Sequence, residues 1–379
     1  DEIVRILSIM GEVEIEEVRA LEDHVHVRGK LRFMVLYISE EEVHRPACME
    51  GELPFEEKVF LEGVASGDSV TVKGALEDLS VGMINSRKLS VQALANVKIS
   101  VEVTETTRAA VGISGDEPVE VLKKTMQAMH LAIQKKDIFR VREEMELPGG
   151  MPNIFQVLWQ SCQLRDVSFR IMDEKMSVQG EIGLFLLYEG EGENRPAMWY
   201  EVSVPINGQV ECQGMREGML DDIGCRIGHR ELEVKPDADG EERKLALELV
   251  LDLDMKLYEE AQIELLSDLY GVTKEIEAVK QAGHCKQLLA KNTGKMKVGG
   301  RLKVEQGLPS IQQLCGSMGT VTVGSVELVA EGLKLTGAVD VRIVYTTQDM
   351  DLPFYCLRGS LPFSYTLEVQ GAQEPDCIY

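Results

Sequence analysis

The segment Gly29–Tyr37 reads GKLRFMVLY, and two close copies of it recur later in the chain. The copies are GEIGLFLLY at 180–188 and GAVDVRIVY at 337–345. In every copy a proline follows the tyrosine by 17 residues, at Pro54, Pro205 and Pro362. A stretch that recurs three times with one internal spacing indicates a structural unit repeated along the chain.

The repeat extends well beyond this segment. The first and second copies are offset by 151 residues, and the second and third by 157. Both offsets also relate Ile3, Ile154 and Ile311, so the first 71 residues of each unit align without a gap from positions 1, 152 and 309. A unit of this length is a whole domain, and we therefore predict domains in tandem rather than a solenoid.

Apolar and polar residues alternate over long stretches inside the unit. In the first unit the alternating apolar residues are Leu89, Val91, Ala93, Ala95, Val97, Ile99, Val101 and Val103, and in the second they run from Leu245 to Leu257. The second run follows Asp239-Gly240, a predicted tight hairpin turn. Alternation of this length is typical of antiparallel strands with one solvated face. We predict a mainly β protein of tandem antiparallel β-sandwich-like domains with short helices in the connections.

Three residue types recur at matching positions, and each has a structural interpretation. Gly29, Gly180 and Gly337 interrupt a strand pattern, which predicts a bulge or a bend. Pro54, Pro205 and Pro362 predict edge strands or strand starts, because proline lacks a ladder donor. Tyr37, Tyr188 and Tyr345 end a strand on its apolar face, where we expect the hydroxyl to find a partner.

The repeat divides the chain into five predicted segments. These are a first β-domain at 1–107, a helical or extended linker at 108–151, a second β-domain at 152–260, a connecting segment at 261–308 and an incomplete third repeat at 309–379. Since the third unit stops at Tyr379, the counterpart of Thr71, we expect either that the natural chain continues or that another segment completes this domain.

Helices are predicted only in the connections. Apolar residues spaced by three and four predict a helix over 116–136, with Asp116 as its cap and Pro118 in its first turn. PNIFQVL at 152–158 predicts a short helical turn after the linker LPGGMP. The stretch 263–292 has a mixed period and receives no assignment.

Composition limits the classes of partner. The 40 Lys and Arg against 64 Asp and Glu give a net charge of -24, which argues against nucleic acid and anionic lipid. No apolar run is long enough for a transmembrane helix, and no secretory signal is present, although the chain does not begin with Met. The eight cysteines form no CxxC pair, and no cysteine position is shared by all three units, which predicts free thiols in a reducing compartment.

The repeated pattern resembles the SPOCS domain. The resemblance rests on P-x-I-x-x-[IVL]-[LC] at 152–158 and 309–315, a glycine 28 residues after the proline, a strand ending in LY or VY, and LPF at 53–55 and 361–363. Asp1 stands in place of the proline in the first unit, and INSRKLSVQALANVKISVEV at 84–103 also fits the family.

The resemblance implies a SipL-like sporulation protein of Clostridia. Such a protein is a non-enzymatic scaffold that acts in the mother-cell cytoplasm at the forespore surface, where it assembles the spore coat by binding SpoIVA. Proteins of this type carry a C-terminal LysM domain implicated in that contact. No LysM-like segment is visible in this sequence, which departs from the pattern.

Residues that could carry chemistry do not form a convincing motif. We considered a metal site from His24, His26, His44 and Cys48, a zinc site from Cys212, Cys225 and His229, and a carboxylate pair at Asp252 and Asp254. None of these three sets of residues recurs in another unit. No nucleophile elbow or phosphate-binding loop occurs, and GISG at 112–115 is a turn-like piece of linker. We therefore predict no catalytic, cofactor-binding or metal residue and no enzyme activity.

Two alternatives remain open alongside the scaffold. The acidic runs at 40–42 and 189–193 could dock a basic partner. A carbohydrate- or cortex-binding array would need exposed aromatic residues, and Trp159 and Trp199 are the only tryptophans. A hydrolase would need a carboxylate pair in a cleft. The sequence leaves the oligomeric state open.

Overall fold

The computed structural model describes residues 2–40, 45–103, 106–193, 195–285, 287–370 and 378–379. These residues form fourteen strands and no helix. The strands are β1 (Ile3–Leu21), β2 (His24–Ser39), β3 (Arg45–Phe60), β4 (Ser69–Asn85), β5 (Lys88–Glu102), β6 (Val119–Glu146), β7 (Ile154–Met172), β8 (Lys175–Gly190), β9 (Ala197–Glu211), β10 (Leu220–Pro236), β11 (Glu242–Gly271), β12 (Gln313–Val329), β13 (Gly332–Thr346) and β14 (Phe354–Glu368).

Each unit contributes the same three-stranded antiparallel sheet. The strand orders are β1-β2-β3, β7-β8-β9 and β12-β13-β14. The first two units add a second sheet, ordered β4-β5 and β10-β11-β6 respectively. Within the described ranges the third unit has only its first sheet. The predicted mainly β, antiparallel fold is confirmed, whereas the short helices predicted in the connections are not found in the described part of the chain.

The repeated glycines lie beside a repeated β-bulge. The pairing shifts next to Gly29 on β2, at Gly180 on β8 and next to Gly337 on β13. A Cβ atom at Gly29 would lie 2.4 Å from the backbone oxygen of Glu14, and one at Gly337 would lie 2.2 Å from that of Thr322. The bulge brings the opposite backbone so close that only glycine fits, which confirms the prediction from the sequence.

The repeated prolines and tyrosines also occupy equivalent places. Pro54, Pro205 and Pro362 lie within β3, β9 and β14, each of which is an edge strand of its sheet. The Tyr188 hydroxyl donates to the carbonyl of Pro152 at 3.1 Å, and the Tyr345 hydroxyl donates to that of Pro309 at 2.9 Å. Both bonds tie the start of a unit to its central strand. The interpretation of these positions as fold-shaping is therefore confirmed.

The helix predicted over 116–136 is wrong, because this segment belongs to β6. β6 pairs antiparallel with β11 along its whole length, from Lys244 opposite Glu146 to Gly271 opposite Val119. Its inward residues Ile133, Phe139, Val141 and Met145 follow a period of two and pack on the core of the second unit. Pairing with β11 therefore satisfies the backbone hydrogen bonds of this segment, although its apolar spacing also suits a helix.

The helical turn predicted at PNIFQVL is also wrong, since β7 begins at Ile154. The β7–β8 register shifts twice, between Ile154 and Gln156 and between Val157 and Trp159. Each shift inserts one extra residue into β7. The shifts bury Ile154 and Leu158, which are four residues apart. Two bulges in a strand thus imitate the spacing of a helical turn. The unassigned stretch 263–292 continues β11 to Gly271 and then lacks regular structure where it is described.

The core of the second unit lies between its two sheets. β11 presents every second side chain to β7-β8-β9, and none of these side chains is more than 2% exposed. The inward side chains of β11 are Leu245, Leu247, Leu249, Leu251, Leu253, Met255 and Leu257. On the opposite sheet they meet Met176, Val178, Ile182, Val204, Ile206 and Val210. This arrangement is a closed two-layer sandwich.

A second apolar cluster joins all three units. It is built from equivalent positions of the repeat, and the members are Leu7, Leu158 and Cys315, then Leu36, Leu187 and Val344, then Cys48, Trp199 and Cys356. The Phe185 ring fills the space above Gly316, where a Cβ atom would lie 2.2 Å from it. The domains are thus consecutive in sequence, and their first sheets pack around one shared core.

Candidate interaction surfaces

Equivalent strands of the first two units differ in how they are covered. Seven alternating apolar residues of β5, from Leu89 to Val101, correspond to the seven of β11, each 156 residues later. All seven are buried in β11, whereas none of the seven is buried in β5. Val97, Ile99 and Val101 pack against the core of the first unit, so the uncovered part of this apolar face runs from Leu89 to Ala95, where the second unit is closed.

The difference comes from β6, which lies on the second edge of β11. The β4–β5 sheet has only two strands, so within the described ranges no strand pairs with the edge of β5 that faces away from β4. We call this edge, over residues 88–96, the open edge of β5. Its backbone donors and acceptors alternate between β4 and this free side, as in any edge strand.

An arginine at the start of β11 forms hydrogen bonds with the backbone of the segment that follows β6. The Arg243 guanidinium donates to the carbonyls of Met151 at 2.7 Å and Pro148 at 2.8 Å, and to Asn153 Oδ1 at 2.9 Å. The equivalent arginine of the first unit, Arg87, forms an ion pair with Glu2 at 2.8 Å and is otherwise exposed. Arg87 therefore has donors to spare for the backbone of a bound segment.

The third unit carries a segment that matches the second half of β6. Residues 292–309 align without a gap with residues 135–152, at the offset of 157. Lys135 Nζ donates to the carbonyl of Glu211 at 3.3 Å, and the matching Asn292 Nδ2 donates to that of Glu368 at 2.8 Å. In both units the segment that precedes the repeat thus lies across the third strand of the sheet.

A large cavity lies where the three units meet. Its volume is about 2250 Å³, and matching stretches of β1, β7 and β12 line it together with β4, β10 and β11. Arg342 Nη1 donates to the carbonyl of Ile9 at 2.7 Å, and Gln163 Nε2 donates to that of Gly319 at 3.3 Å. Burial lowers the pKa of the Arg342 guanidinium, and the nearby charge of Arg358 adds to this effect. These bonds hold neighbouring units in a fixed arrangement.

Where the structure describes them, the histidine and cysteine candidates do not come together as a metal site. His26 Nε2 lies 2.7 Å from a carboxylate oxygen of Glu56, and His24 Nδ1 lies 2.7 Å from the carbonyl of Glu22. His44 lies outside the described residues. Cys212 is buried in the core of the second unit. Among the described residues no group of three potential ligands is placed to hold a metal ion.

The two candidate catalytic carboxylates serve as contacts at the cavity wall. Asp252 accepts from Arg226 Nε at 3.2 Å on the neighbouring strand. Asp254 accepts from the Thr71 hydroxyl at 3.2 Å, which links the second unit to the first. Each therefore has a partner of its own, as expected for the polar face of a strand.

Burial protects several cysteine thiols. Desolvation raises the pKa of Cys48 to about 12 and those of Cys162, Cys225 and Cys315 to about 11. We call these four residues the shielded thiols. They are protonated and weakly nucleophilic at neutral pH, because the thiolate is the reactive form. Seven cysteines are free thiols in the described ranges, and Cys377 lies outside them.

The remaining candidates divide between surface and core. Glu40 is exposed and Glu41 and Glu42 lie outside the described residues, while Glu189 is buried and only the rest of its acidic run reaches the surface. Trp159 is buried and Trp199 packs against the shared cluster. The GISG segment at 112–115 is exposed and irregular.

Sequence reasoning missed both β6 and the open edge of β5. The available signals were the period of two at Ile133, Phe139, Val141 and Met145, and the gapless match between residues 135–152 and 292–309. Together they indicate that the segment before each repeat is part of the domain.

These features define a tandem-repeat β protein whose copies share one core and use the preceding segment to complete a domain. The sequence model of the SipL, SPOCS domain family matches residues 2–84, 153–235 and 310–379, more than half of the chain. The chain belongs to this family, as the repeated motifs predicted, and membership points to a sporulation-related role. Searches of curated proteins and of solved structures each found no match. The described residues include no helix able to span a membrane.

Proposed function

We propose that the protein is a non-enzymatic scaffold in endospore formation, where it brings spore-coat proteins together by direct protein–protein contacts. The observation that carries the proposal is the apolar face of the first unit that no described segment covers, on a chain whose three units share one apolar cluster. An exposed apolar patch on a folded protein is typical of a binding surface. The family to which the chain belongs supports the sporulation context.

The proposed place of action is the mother-cell cytoplasm at the forespore surface. The proposed partners are proteins of the coat, with SpoIVA the candidate that the SipL resemblance supplies. The net charge of -24 favours a protein partner over nucleic acid or an anionic membrane.

The proposal can be tested by capture from sporulating cells. The immobilised full chain is compared with a variant that carries Met83→Glu and Leu89→Glu, a cross-strand pair on the uncovered apolar face of the first unit. A matched control carries Val279→Glu, which is exposed on the segment that follows β11. We expect coat proteins to bind the wild type and the control and to be depleted with the double variant. Capture of the same proteins by bare matrix and by the chain would contradict the scaffold.

Cosedimentation with purified cortex peptidoglycan separates the scaffold from the carbohydrate-binding alternative. Neither tryptophan offers an exposed platform for a sugar ring, since Trp159 is buried and Trp199 packs in the shared cluster. We therefore expect the chain to stay in the supernatant. Saturable sedimentation that soluble cortex fragments reverse would favour the sugar-binding function instead.

A further inference from the structure

We propose that Arg342 and Arg358 form a binding site for a small ligand that carries a phosphate group, inside the cavity between the three units. The two arginines lie directly opposite each other on β13 and β14, and both line the cavity. The site is distinct from the surface proposed for protein partners, and the structure describes both strands along the whole stretch that carries it.

The arginine pair belongs to one layer of equivalent residues beside the shared apolar cluster. Each first sheet contributes three directly paired residues to this layer, one from each strand. The members are Met10, Met34 and Glu50 in the first unit, Ser161, Phe185 and Glu201 in the second, and Met318, Arg342 and Arg358 in the third. All of them except Phe185 and Glu201 line the cavity. The third unit is thus the one that places two cations in this layer.

The charges of the pair are not neutralised within the described part of the chain. Neither guanidinium forms an ion pair there, whereas Arg32 on another wall of the cavity pairs with Glu52 at 3.0 Å. Like charges directly opposite each other on neighbouring strands are destabilising. Burial and the charge of Arg358 both lower the pKa of Arg342, although the charge of Asp340 opposes them. An anion held between the two guanidinium groups would relieve this repulsion.

The free donors of the pair suit an oxyanion with more than two oxygens. Arg342 Nη1 donates to the carbonyl of Ile9 at 2.7 Å, which fixes this guanidinium against the first unit and leaves its other donors free. Arg358 is exposed, so its side chain can close on a ligand. Each guanidinium is a planar fork that binds two oxygens at once. Two such forks exceed the two oxygens of a carboxylate and match those of a phosphate group.

Other charges of the cavity direct an anion to this place. Arg230 lies beside the Cys162 thiol, since its charge and hydrogen bond oppose the rise in the pKa of Cys162 that burial causes. Arg230 lines the cavity and forms no ion pair among the described residues. The carboxylates of Glu12 and Glu50 line it as well. Their repulsion confines an anion to the side of the cavity that carries the arginines.

Pyrophosphate and inorganic phosphate serve as the probes. Each is titrated into the full chain by isothermal calorimetry at constant ionic strength, which is set with sodium chloride because salt screens exposed charges. We expect saturable binding with half-saturation at no more than about 10 mM, and a melting temperature that rises with the same concentration dependence. Hydrogen exchange should slow at amides 340–344 and 356–360 when pyrophosphate is bound.

Variants at Arg358 separate ligand binding from a structural role. Arg358→Met removes one fork and should weaken pyrophosphate binding at least about tenfold. Arg358→Glu places beside Arg342 the residue type found at Glu50 and Glu201. This variant should lose the response to pyrophosphate and should melt at a higher temperature than the unliganded wild type, because an ion pair replaces the repulsion.

Lys73→Met provides the matched control. Lys73 is exposed, lines the cavity from β4 and lies outside the arginine layer. Its replacement removes one positive charge from the cavity and should change pyrophosphate binding by no more than about twofold.

Four results would overturn the inference. The wild type could show no saturable binding of either probe, or the Arg358→Glu variant could bind pyrophosphate as well as the wild type does. An equal loss in Lys73→Met and Arg358→Met would mean that the cavity attracts anions without a defined site. Binding of citrate in the absence of pyrophosphate binding would assign the arginines to a carboxylate ligand.

Discussion

Leu89 and Leu245 are the same residue type at the start of equivalent strands, and the structure assigns them different stabilising roles. Leu245 is 0% exposed and packs in a cluster with Leu147, Ile154, Leu186 and Tyr188. Replacing it with alanine removes packed atoms and leaves a cavity, which costs about 2.7–5 kcal/mol. Leu89 is only half-buried, so water can fill the space left by its truncation and the cost is about 1 kcal/mol.

Urea denaturation of the two alanine variants measures this difference. Both tryptophans, Trp159 and Trp199, lie in the second unit, so their fluorescence reports on the domain that contains Leu245. With an m-value of about 2 kcal/mol/M, Leu245→Ala should lower the midpoint by about 1.4–2.5 M. Leu89→Ala should lower the midpoint followed by circular dichroism by no more than about 0.5 M.

The comparison would refute the reasoning if the two variants lost equal stability. Equal losses would mean that β5 is covered as fully as β11, and the open edge would then not exist in solution. If Leu245→Ala lost less stability than Leu89→Ala, the closed sandwich of the second unit would be contradicted instead.

Three further predictions follow from the described contacts. Gly29→Ala should cost about 1–3 kcal/mol in thermal unfolding because of the clash at the bulge, whereas Gly82→Ala, with open space around it, should change stability by no more than about 0.5 kcal/mol; similar losses would contradict the bulge. Arg342→Met should cost about 1.5–3 kcal/mol and speed hydrogen exchange around Ile9, since it removes a charged donor between units, and unchanged exchange would dismiss that link. At pH 8 the shielded thiols should react with iodoacetamide at least about tenfold more slowly than the exposed Cys285, because their raised pKa values keep them protonated, and uniform labelling by mass spectrometry would count against their burial.

The sequence was most informative where the local backbone geometry allows only one residue type. Gly29 and its two counterparts face a backbone oxygen or main chain at a bulge, so the residue type itself records the bulge. The three prolines fit edge strands because a central strand would need their missing donor. These positions predicted the first sheet of every unit, and the alternation at 89–103 and 245–257 predicted the second.

The two wrong helix predictions came from apolar patterns that fit both a helix and a strand. The apolar residues between Val119 and Ile133 are spaced for a helix, yet β11 provides a continuous partner that makes the segment a strand. The bulges in β7 produce helix-like spacing within a strand. Pairing between distant segments decides both cases, and no local propensity records it.

The open edge of β5 was beyond prediction for a different reason. Its residues alternate in the same way as those of β11, so the sequence of the strand predicts a covered face in both units. Whether a third strand is present depends on a segment elsewhere in the chain. The packing of three units around one cluster likewise depends on which surfaces of Leu7, Leu158 and Cys315 meet.

Hydrogen exchange of the unliganded full chain tests the central claim most directly, because equivalent strands of one molecule are compared under identical conditions. The account predicts that amides 88–96 of β5 exchange at least about tenfold faster than the matching amides 244–252 of β11, since β6 pairs only with β11. Equal protection of the two strands would contradict it.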